Sequence, residues 1–275
     1  MIRAVVATSL LLMSAASAQA HAAHQVVKAE QAFDAYTALH GFTHGFHEWS
    51  AEDGVSIGPK GPRPIHKILS DAIAKDPSER DAPSKLRWWP LRAAASQSGD
   101  LGWDLGGWKN GDDPNGGWYF TIWAKQTDGS WRWMVDTGAG KAPLTQVPVA
   151  AALTTDAVST PKSGTATADI EAADTALDGA LVQASPAAYL KALAADAIMG
   201  SADGVPAMDA DARTTAVAKR PAGAWQRDFI KVSAAGDLGY TYGHAGDQGT
   251  YLRVWRNDGK TGWHIVADMF QPAAK

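Results

Sequence analysis

Hydrophobic positions along the first half of the chain predict helices first and strands afterwards. Residues 29–39 carry apolar side chains at helical spacing, and Phe42, Phe46 and Trp49 continue a second apolar stripe. The elements predicted next are a short strand, a helix and four longer strands, over residues 55–57, 65–74, 86–95, 101–105, 118–124 and 131–136. Because an Asp-Gly pair favours a tight turn between the last two strands, they form a hairpin. Helices followed by an antiparallel meander indicate an α+β fold.

The same order of elements occurs a second time, because four sequence blocks recur in an unchanged order. The matched blocks are residues 51–55, 99–102, 119–123 and 131–136 with residues 194–198, 236–239, 251–255 and 263–268, respectively. The clearest of them is Gly-Asp-Leu-Gly, which stands at 99–102 and again at 236–239. An internal repeat of this length predicts two copies of one domain, the first over residues 21–138 and the second over residues 167–275.

The segment between the two copies, residues 139–166, is rich in Ala, Thr, Pro and Ser and contains no aromatic residue. This composition predicts a linker. The alternative is an arm packed between the domains, because residues 147–153 are mostly apolar and long loops without structure are uncommon in compact proteins.

The first twenty residues have the pattern of a secretory signal peptide. Arg3 supplies the positive charge, residues 4–13 are apolar, and Ala18-Gln19-Ala20 fits the small-residue rule for cleavage, with residues 16–18 as an alternative site. The apolar run is shorter than the roughly 20 residues that a membrane span needs. The sequence therefore predicts an exported protein, periplasmic or secreted.

Composition narrows the chemistry further. The chain has no cysteine, so disulfides, thiolate catalysis and lipid attachment at a cysteine are excluded. Its net charge of -4 comes without a block of like charges, so neither nucleic acid nor a membrane is expected as a partner. Twelve tryptophans indicate either a large aromatic core or a surface on which a ligand stacks.

Taken together, the sequence blocks resemble the nuclear transport factor 2-like superfamily, also called the SnoaL-like or cystatin-like cone fold, and within it exported proteins related to ketosteroid isomerases. The blocks that carry the resemblance are Ala-Glu-x-Ala-Phe at 29–33, residues 51–55, Trp89-Pro90 before Ser-Gly-Asp-Leu-Gly at 98–102, and the hairpin from Trp123 to Asp136. The resemblance implies two tandem cone-shaped domains. Each would have three helices packed on a curved, mostly antiparallel sheet.

The resemblance also implies where catalysis would occur. Isomerase-like members carry a catalytic aspartate just after the short first strand. That place falls at Gly58 in the first copy and near Gly200 or Ser201 in the second, and none of these residues can abstract a proton. This difference argues against the family's best-known reaction.

The carboxylates that recur near the end of the last strand, Asp136 and Asp268, are the candidate catalytic residues. Either one could act as a general base if an apolar pocket raises its pKa. The alternative is an aspartate that caps a turn or faces water. The candidate ligand-binding residues are Tyr36, Trp88, Trp103, Trp108, Tyr119 and Asp136. Such aromatic walls suit a small apolar or aromatic ligand, although a tryptophan-rich core explains the same residues.

Three histidines, His40, His44 and His47, fall on one side of a helical wheel and are weak candidates for a metal site. Two glycines within the same segment, at positions 41 and 45, weaken the predicted helix. A solvated helix face is therefore the favoured interpretation, and no cofactor is predicted.

Three functions remain open. The favoured one is a binding module that holds a small ligand in a cone cavity. The second is an isomerase, cyclase or hydrolyase that uses Asp136 or Asp268. The third is a structural pseudo-dimer with filled cavities, in which sheets pair face to face between the two copies or with a second chain. Because tryptophan and histidine are concentrated in the first copy, a site is expected there.

Overall fold

The first element of the fold is a long helix that bends once. The structure is a computed structural model that describes residues 2–76, 83–147, 154–156, 159–162, 164–200 and 204–274. Helix α1 covers Ile2–Trp49, and Gly41 interrupts it with a backbone φ of 83° and ψ of 167°. Glycine reaches this left-handed φ without a steric penalty, so the last turns of α1 change direction at this residue.

The remaining elements of the first half agree with the hydrophobic pattern. They are β1 (Ser50–Gly58), β2 (Gly61–Pro64), α2 (Ile65–Lys75), β3 (Leu86–Ala95), β4 (Leu101–Asn110), β5 (Asn115–Lys125) and β6 (Trp131–Pro143). Strand β6 is longer than predicted, so residues 139–143, expected to be part of the linker, form strand. A 3-10 helix over Leu144–Gln146 and the two-residue strand β7, Thr154–Thr155, follow. Strand β7 pairs with β3 in parallel.

The second half repeats this order with shorter elements. They are α3 (Ala166–Val182), α4 (Pro186–Ala192), β8 (Leu193–Met199), α5 (Ala210–Ala218), β9 (Gln226–Val232), β10 (Leu238–His244), β11 (Gly249–Asn257) and β12 (Trp263–Pro272). The strand order is β2-β1-β6-β5-β4-β3-β7 in the first sheet and β8-β12-β11-β10-β9 in the second. Strand β1 runs parallel to β6 and β8 runs parallel to β12, and the long strands of each sheet form an antiparallel meander. The predicted α+β class with two tandem cones is confirmed.

The repeat extends to the register of individual residues. Asp104 of β4 lies opposite Thr121 of β5, which lies opposite Asp136 of β6. In the second sheet, the same row consists of Thr241, Arg253 and Asp268. A side chain added at Gly102 would meet Val26 of α1, and one added at Gly239 would meet Ile170 of α3. These contacts align the two helices and make Glu30 of α1 the counterpart of Asp174 of α3.

The face of each sheet that turns away from its own helices packs toward the other half. Trp103, Phe120 and Ile122 of the first sheet share one buried cluster with their counterparts in the second sheet, Tyr240, Leu252 and Val254. Strand β4 contacts β10, and β6 contacts β12. Burial of large aromatic and aliphatic side chains on both sides stabilises this contact.

The two Gly-Asp-Leu-Gly turns also bind each other. The carboxylate of Asp100 accepts a hydrogen bond of 2.9 Å from the backbone N–H of Ala234, and the carboxylate of Asp237 accepts one of 2.7 Å from the backbone N–H of Gln97. Gln97 and Ala234 are equivalent in the repeat, so the contact is reciprocal. Each aspartate also accepts hydrogen bonds from serine hydroxyls of its own turn, which is typical of aspartates in tight turns. The sequence did not predict the contact between the two turns.

Candidate binding site in the first half

A cavity of about 380 Å³ lies between α1 and the sheet of the first half. Its volume falls within the range of small-molecule sites. The residues that line it are Glu30, Phe33, Phe42, Phe46, Leu86, Trp88, Trp108, Asn110, Tyr119, Asp136, Thr137 and Gly138. The bend at Gly41 directs Phe42 and Phe46 back over the opening, where their rings stack with centroids 4.0 Å apart. Phe42 keeps 47% of its surface exposed and marks the mouth of the cavity.

The inner wall of the cavity consists of aromatic rings in mutual contact. Phe33 packs edge-on against Phe46 at 4.8 Å and against Trp88 at 4.7 Å between centroids. Such edge-to-face pairs add roughly 0.5–1.5 kcal/mol each beyond the area they bury. The wall therefore holds its shape without a ligand.

The floor of the cavity is acidic. Asp136 accepts a 3.2 Å hydrogen bond from the hydroxyl of Thr121 and is half-buried, because its carboxyl group faces the cavity. Burial raises the pKa of Asp136 to about 7, since moving a carboxylate out of water disfavours its charged form. Asp136 therefore exchanges its proton near neutral pH.

Two further carboxyl groups lie beneath the floor, and both are buried. Glu30 accepts hydrogen bonds from the indole N–H groups of Trp88 and Trp123, the second at 3.0 Å. Asp104 accepts from Trp123 at 3.0 Å and from the hydroxyl of Tyr119 at 2.8 Å. Burial and the charge of Asp104 raise the pKa of Glu30 well above its usual range, and burial raises the pKa of Asp104 to about 7. Glu30 therefore keeps its proton at neutral pH.

The structure brings four of the predicted ligand-binding residues together at this cavity: Trp88, Trp108, Tyr119 and Asp136. Burial raises the pKa of Tyr119 well above its usual range, and the nearby carboxylates raise it further. Its hydroxyl therefore remains a hydrogen-bond donor throughout the neutral range.

The other two predicted residues lie elsewhere. Trp103 precedes Asp104 on β4, and successive strand residues point to opposite faces. It therefore packs in the interface between the halves, against Phe120 with centroids 5.3 Å apart. Tyr36 lies beside the buried stripe of α1 rather than on it and stacks on His40 at 4.2 Å.

Sequence reasoning also missed Glu30 and Asp104. A detectable signal existed for Glu30, which falls on the stripe of Val26, Phe33 and Thr37, all buried at helical spacing. A carboxylate on such a stripe is unusual and indicates a function. No such signal marked Asp104, because β4 is buried on both faces over Leu101–Gly107 and shows no alternation.

The second cone contains a side chain where the first has open space. Arg253, the counterpart of Thr121, is fully buried. Its guanidinium group is bound by Asp174 and by Asp178, the latter at 2.9 Å, and lies 4.2 Å from the ring centre of Tyr251 and 4.9 Å from that of Trp225. The void of about 90 Å³ that remains beside Tyr189 and Arg220 is small.

The second catalytic candidate, Asp268, belongs to this filled core. It pairs with Arg220 at 2.8 Å and accepts a hydrogen bond from the hydroxyl of Tyr189. Asp268 is fully buried, and the guanidinium group of Arg220 compensates its negative charge. Gly200 borders a separate pocket of about 270 Å³ beside α5, and Gly58 ends β1 opposite Gly61. Ser201 lies outside the described residues.

The three histidines do not form one face. Gly41 bends α1 between His40 and His44, so the helical wheel on which the metal hypothesis depended does not apply. His47 bonds Ser70 at 2.8 Å and stacks on His66 at 4.3 Å. Burial and the neighbouring His66 lower the pKa of His47. Across the part of the chain that the structure describes, no group of three potential metal ligands occurs.

Comparison with known proteins gives structural likeness alone. No protein-family model and no curated protein matches the chain. Among solved structures, it is similar to a ketosteroid isomerase-like protein from Erwinia carotovora atroseptica, at 16% identity and a TM-score of 0.34, covering 40% of this chain and 97% of that one. It is also similar to a cystatin-like fold protein from Burkholderia xenovorans (16% identity, TM-score 0.34, 41% and 95% covered).

A third solved structure with this likeness is a nuclear transport factor 2-like superfamily protein from Salmonella enterica, at 15% identity and a TM-score of 0.32, covering 40% of this chain and 93% of that one. These proteins carry the names of the superfamily that the sequence blocks resemble. Each alignment covers about 40% of this chain and more than 90% of the solved structure. Separately, none of the described helices is long and apolar enough to cross a membrane.

Proposed function

We propose that this protein is a binding module that holds a small, partly apolar ligand in the cavity of its first half. The observation that carries the proposal is an open cavity of about 380 Å³ whose aromatic walls end on carboxyl groups. A purely structural role with two filled cones has less support, because only the second cone is filled by its own side chains.

The experiment compares two apolar residues of the same helix. Phe42 stands at the cavity mouth, whereas Leu39, with 68% of its surface exposed, lies outside the cavity. A small-molecule library is screened by thermal shift and by tryptophan fluorescence, to which Trp88 and Trp108 of the cavity contribute among the twelve tryptophans of the chain. We expect Phe42→Ala to weaken the ligands found by up to about tenfold and Leu39→Ala to leave them unchanged. Equal effects of the two variants would show that the ligands bind elsewhere.

The second candidate function is an acid–base enzyme, and the pKa of Asp136 favours it. A carboxyl group with a pKa of about 7 that faces a cavity is suited to accept and return a proton. The hydroxyl of Tyr119 donates its one proton to Asp104 and offers a substrate only its oxygen, as an acceptor. If a turnover is found, Asp136→Asn should reduce kcat by two or more orders of magnitude. A variant that retains full kcat would rule out this role for Asp136.

We also propose that the chain is exported. The choice of cleavage site affects the fold, because the side chain of Gln19 bonds the backbone of Ala95 at 2.9 Å and the hydroxyl of Ser159 at 3.0 Å. Cleavage after Ala18 retains these bonds and cleavage after Ala20 removes them. Mass spectrometry of the protein from the periplasm or medium identifies the first residue, and finding only full-length chain in the cytoplasm would contradict export.

A further inference from the structure

The charge of the first cavity indicates what its ligand carries. Its ionisable lining groups are Glu30, Tyr119 and Asp136, and none of the lining residues that the structure describes is positively charged. At the edge, Arg87 is already paired with Asp34 at 2.6 Å. A ligand with an anionic group would therefore meet buried carboxyl groups without any compensating cation.

The second half shows which group occupies the space that is open in the first cavity. Arg253 places its guanidinium group between the ring of Tyr251 and the carboxylate of Asp174. The counterparts of these two residues in the first half are Tyr119 and Glu30, both at the open cavity. The counterpart of Arg253 is Thr121, whose side chain is too short to fill the space. The chain therefore contains an internal example of a cation held by an aromatic ring and a carboxylate.

We propose that the first cavity binds a small organic cation, an alkylammonium or guanidinium compound, with its charge against Asp136 and Glu30 and its apolar part against Trp88 and Trp108. This inference rests on the proposed binding function and names the class of ligand. Aromatic rings attract cations through their quadrupole, most strongly where water is excluded. A nearby carboxylate adds a charge-assisted hydrogen bond.

A cationic ligand must also affect the protonation of the floor. The groups that face its charge are Glu30 of α1, Asp104 of β4, Tyr119 of β5 and Asp136 of β6. A positive charge favours the ionised form of each carboxyl group, so binding near neutral pH releases protons. The affinity should consequently rise with pH through the range in which Asp136 ionises in the free protein, around pH 7.

The test uses benzylammonium and benzylguanidinium as cationic probes, benzyl alcohol as the neutral probe and benzoate as the anionic probe. Tryptophan fluorescence titrations of the full chain measure their affinities. We expect the affinity of the cationic probes to be at least about tenfold higher than that of benzyl alcohol. Calorimetry at pH 7 in two buffers of different ionisation enthalpy should show proton release for the cations alone.

Two variants and one control locate the cation. Asp136→Asn should remove most of the preference for cationic probes, while Asp71→Asn, a control whose side chain is exposed and outside the cavity, should not. Thr121→Arg should abolish binding by supplying the internal cation that the second half already has.

The outcomes separate the two proposals. Benzyl alcohol binding as tightly as benzylammonium, with both weakened by Phe42→Ala, would overturn the cation inference and leave the binding function standing. A cation preference that survives Asp136→Asn would overturn the placement of the charge. If no probe binds at all, the cation inference fails, and the library screen with Phe42→Ala and Leu39→Ala decides the binding function by itself.

Discussion

The two cones are built on the same row of three strand residues, and they differ in whether that row supplies its own cation. In the first cone the row is Asp104, Thr121 and Asp136; burial raises the pKa of both carboxyl groups to about 7, and no guanidinium group of the described residues pairs with them. In the second cone Arg253 stands in the middle of the row. Arg253 at this position contributes to the packed ionic core of the second cone, whereas Thr121 at the equivalent position leaves space in the first.

The largest difference between the cones is expected when equivalent carboxylates are removed, Asp174 in the second cone and Glu30 in the first. Asp174→Asn takes a partner from the buried Arg253 and should lower the free energy of unfolding by about 3 kcal/mol. Glu30→Gln replaces a group that already carries a proton and should cost only about 1 kcal/mol, because one of its two indole N–H donors loses its acceptor oxygen. Urea unfolding at pH 7 measures both, and similar losses would contradict the assigned protonation states.

The carboxyl group of Asp136 in the first cone should make the stability of the protein depend on pH. The pKa of Asp136 is about 7 in the folded protein and near 4 in an unfolded chain. Between these values the folded state binds more protons than the unfolded state, so stability falls as pH rises from about 4 to about 7. Asp136→Asn should reduce the total loss of stability over this range by about 2 kcal/mol, roughly half of what three pKa units correspond to, because the half-buried carboxyl group keeps part of its hydration. Chemical denaturation at several pH values tests it, and an unchanged slope would mean that Asp136 is ionised throughout.

A control of opposite sign lies at an exposed turn of the second half. Hydrogen bonds from Thr261 lower the pKa of Asp258 to about 2. Its contribution to stability is therefore present above about pH 4 and lost as pH falls toward 2. Asp258→Asn should lower stability by a constant amount from pH 5 to pH 8, without changing the slope there, and should remove the dependence on pH below about 4.

The smallest expected difference concerns the two paired turns. Asp237 is fully buried and accepts from Gln97, Ser159 and Ser233, whereas Asp100 is half-buried. Asp237→Asn should cost about 2 kcal/mol and Asp100→Asn about 1 kcal/mol. Thermal unfolding followed by circular dichroism measures both, and the reverse order would mean that the buried turn does not anchor the contact.

Much of the scaffold was predictable because its signals are local. The predicted strand over residues 86–95 is observed without change, and the helix predicted over residues 65–74 extends by one residue. Strand β4 extends beyond the predicted residues 101–105, because Gly106 and Gly107 interrupt the hydrophobic pattern from which strands are predicted. They are glycines because any side chain there would overlap Trp89, a contact that no local pattern records.

The candidate site was only partly predictable, because it depends on which face each residue presents. Trp88 and Tyr119 reach the cavity, whereas Trp103, an equally aromatic residue, turns to the interface between the halves. Both faces of the first sheet are buried, one by helices and one by the second half, so hydrophobicity does not separate them. The open state of the first cavity depends on a bend at Gly41 and a short Thr121, neither of which marks a site by itself.

The reciprocal contact between the turns, in which equivalent aspartates cap equivalent N–H groups, has a consequence for how these cones can diverge. In a dimer of identical chains, every substitution appears in both subunits, so an arginine would fill both cones or neither. When both copies lie on one chain, each position can be substituted alone. The symmetric contact holds the two copies in a fixed relative position. Because they lie on one chain, the interior of one copy can be packed while the interior of the other stays open.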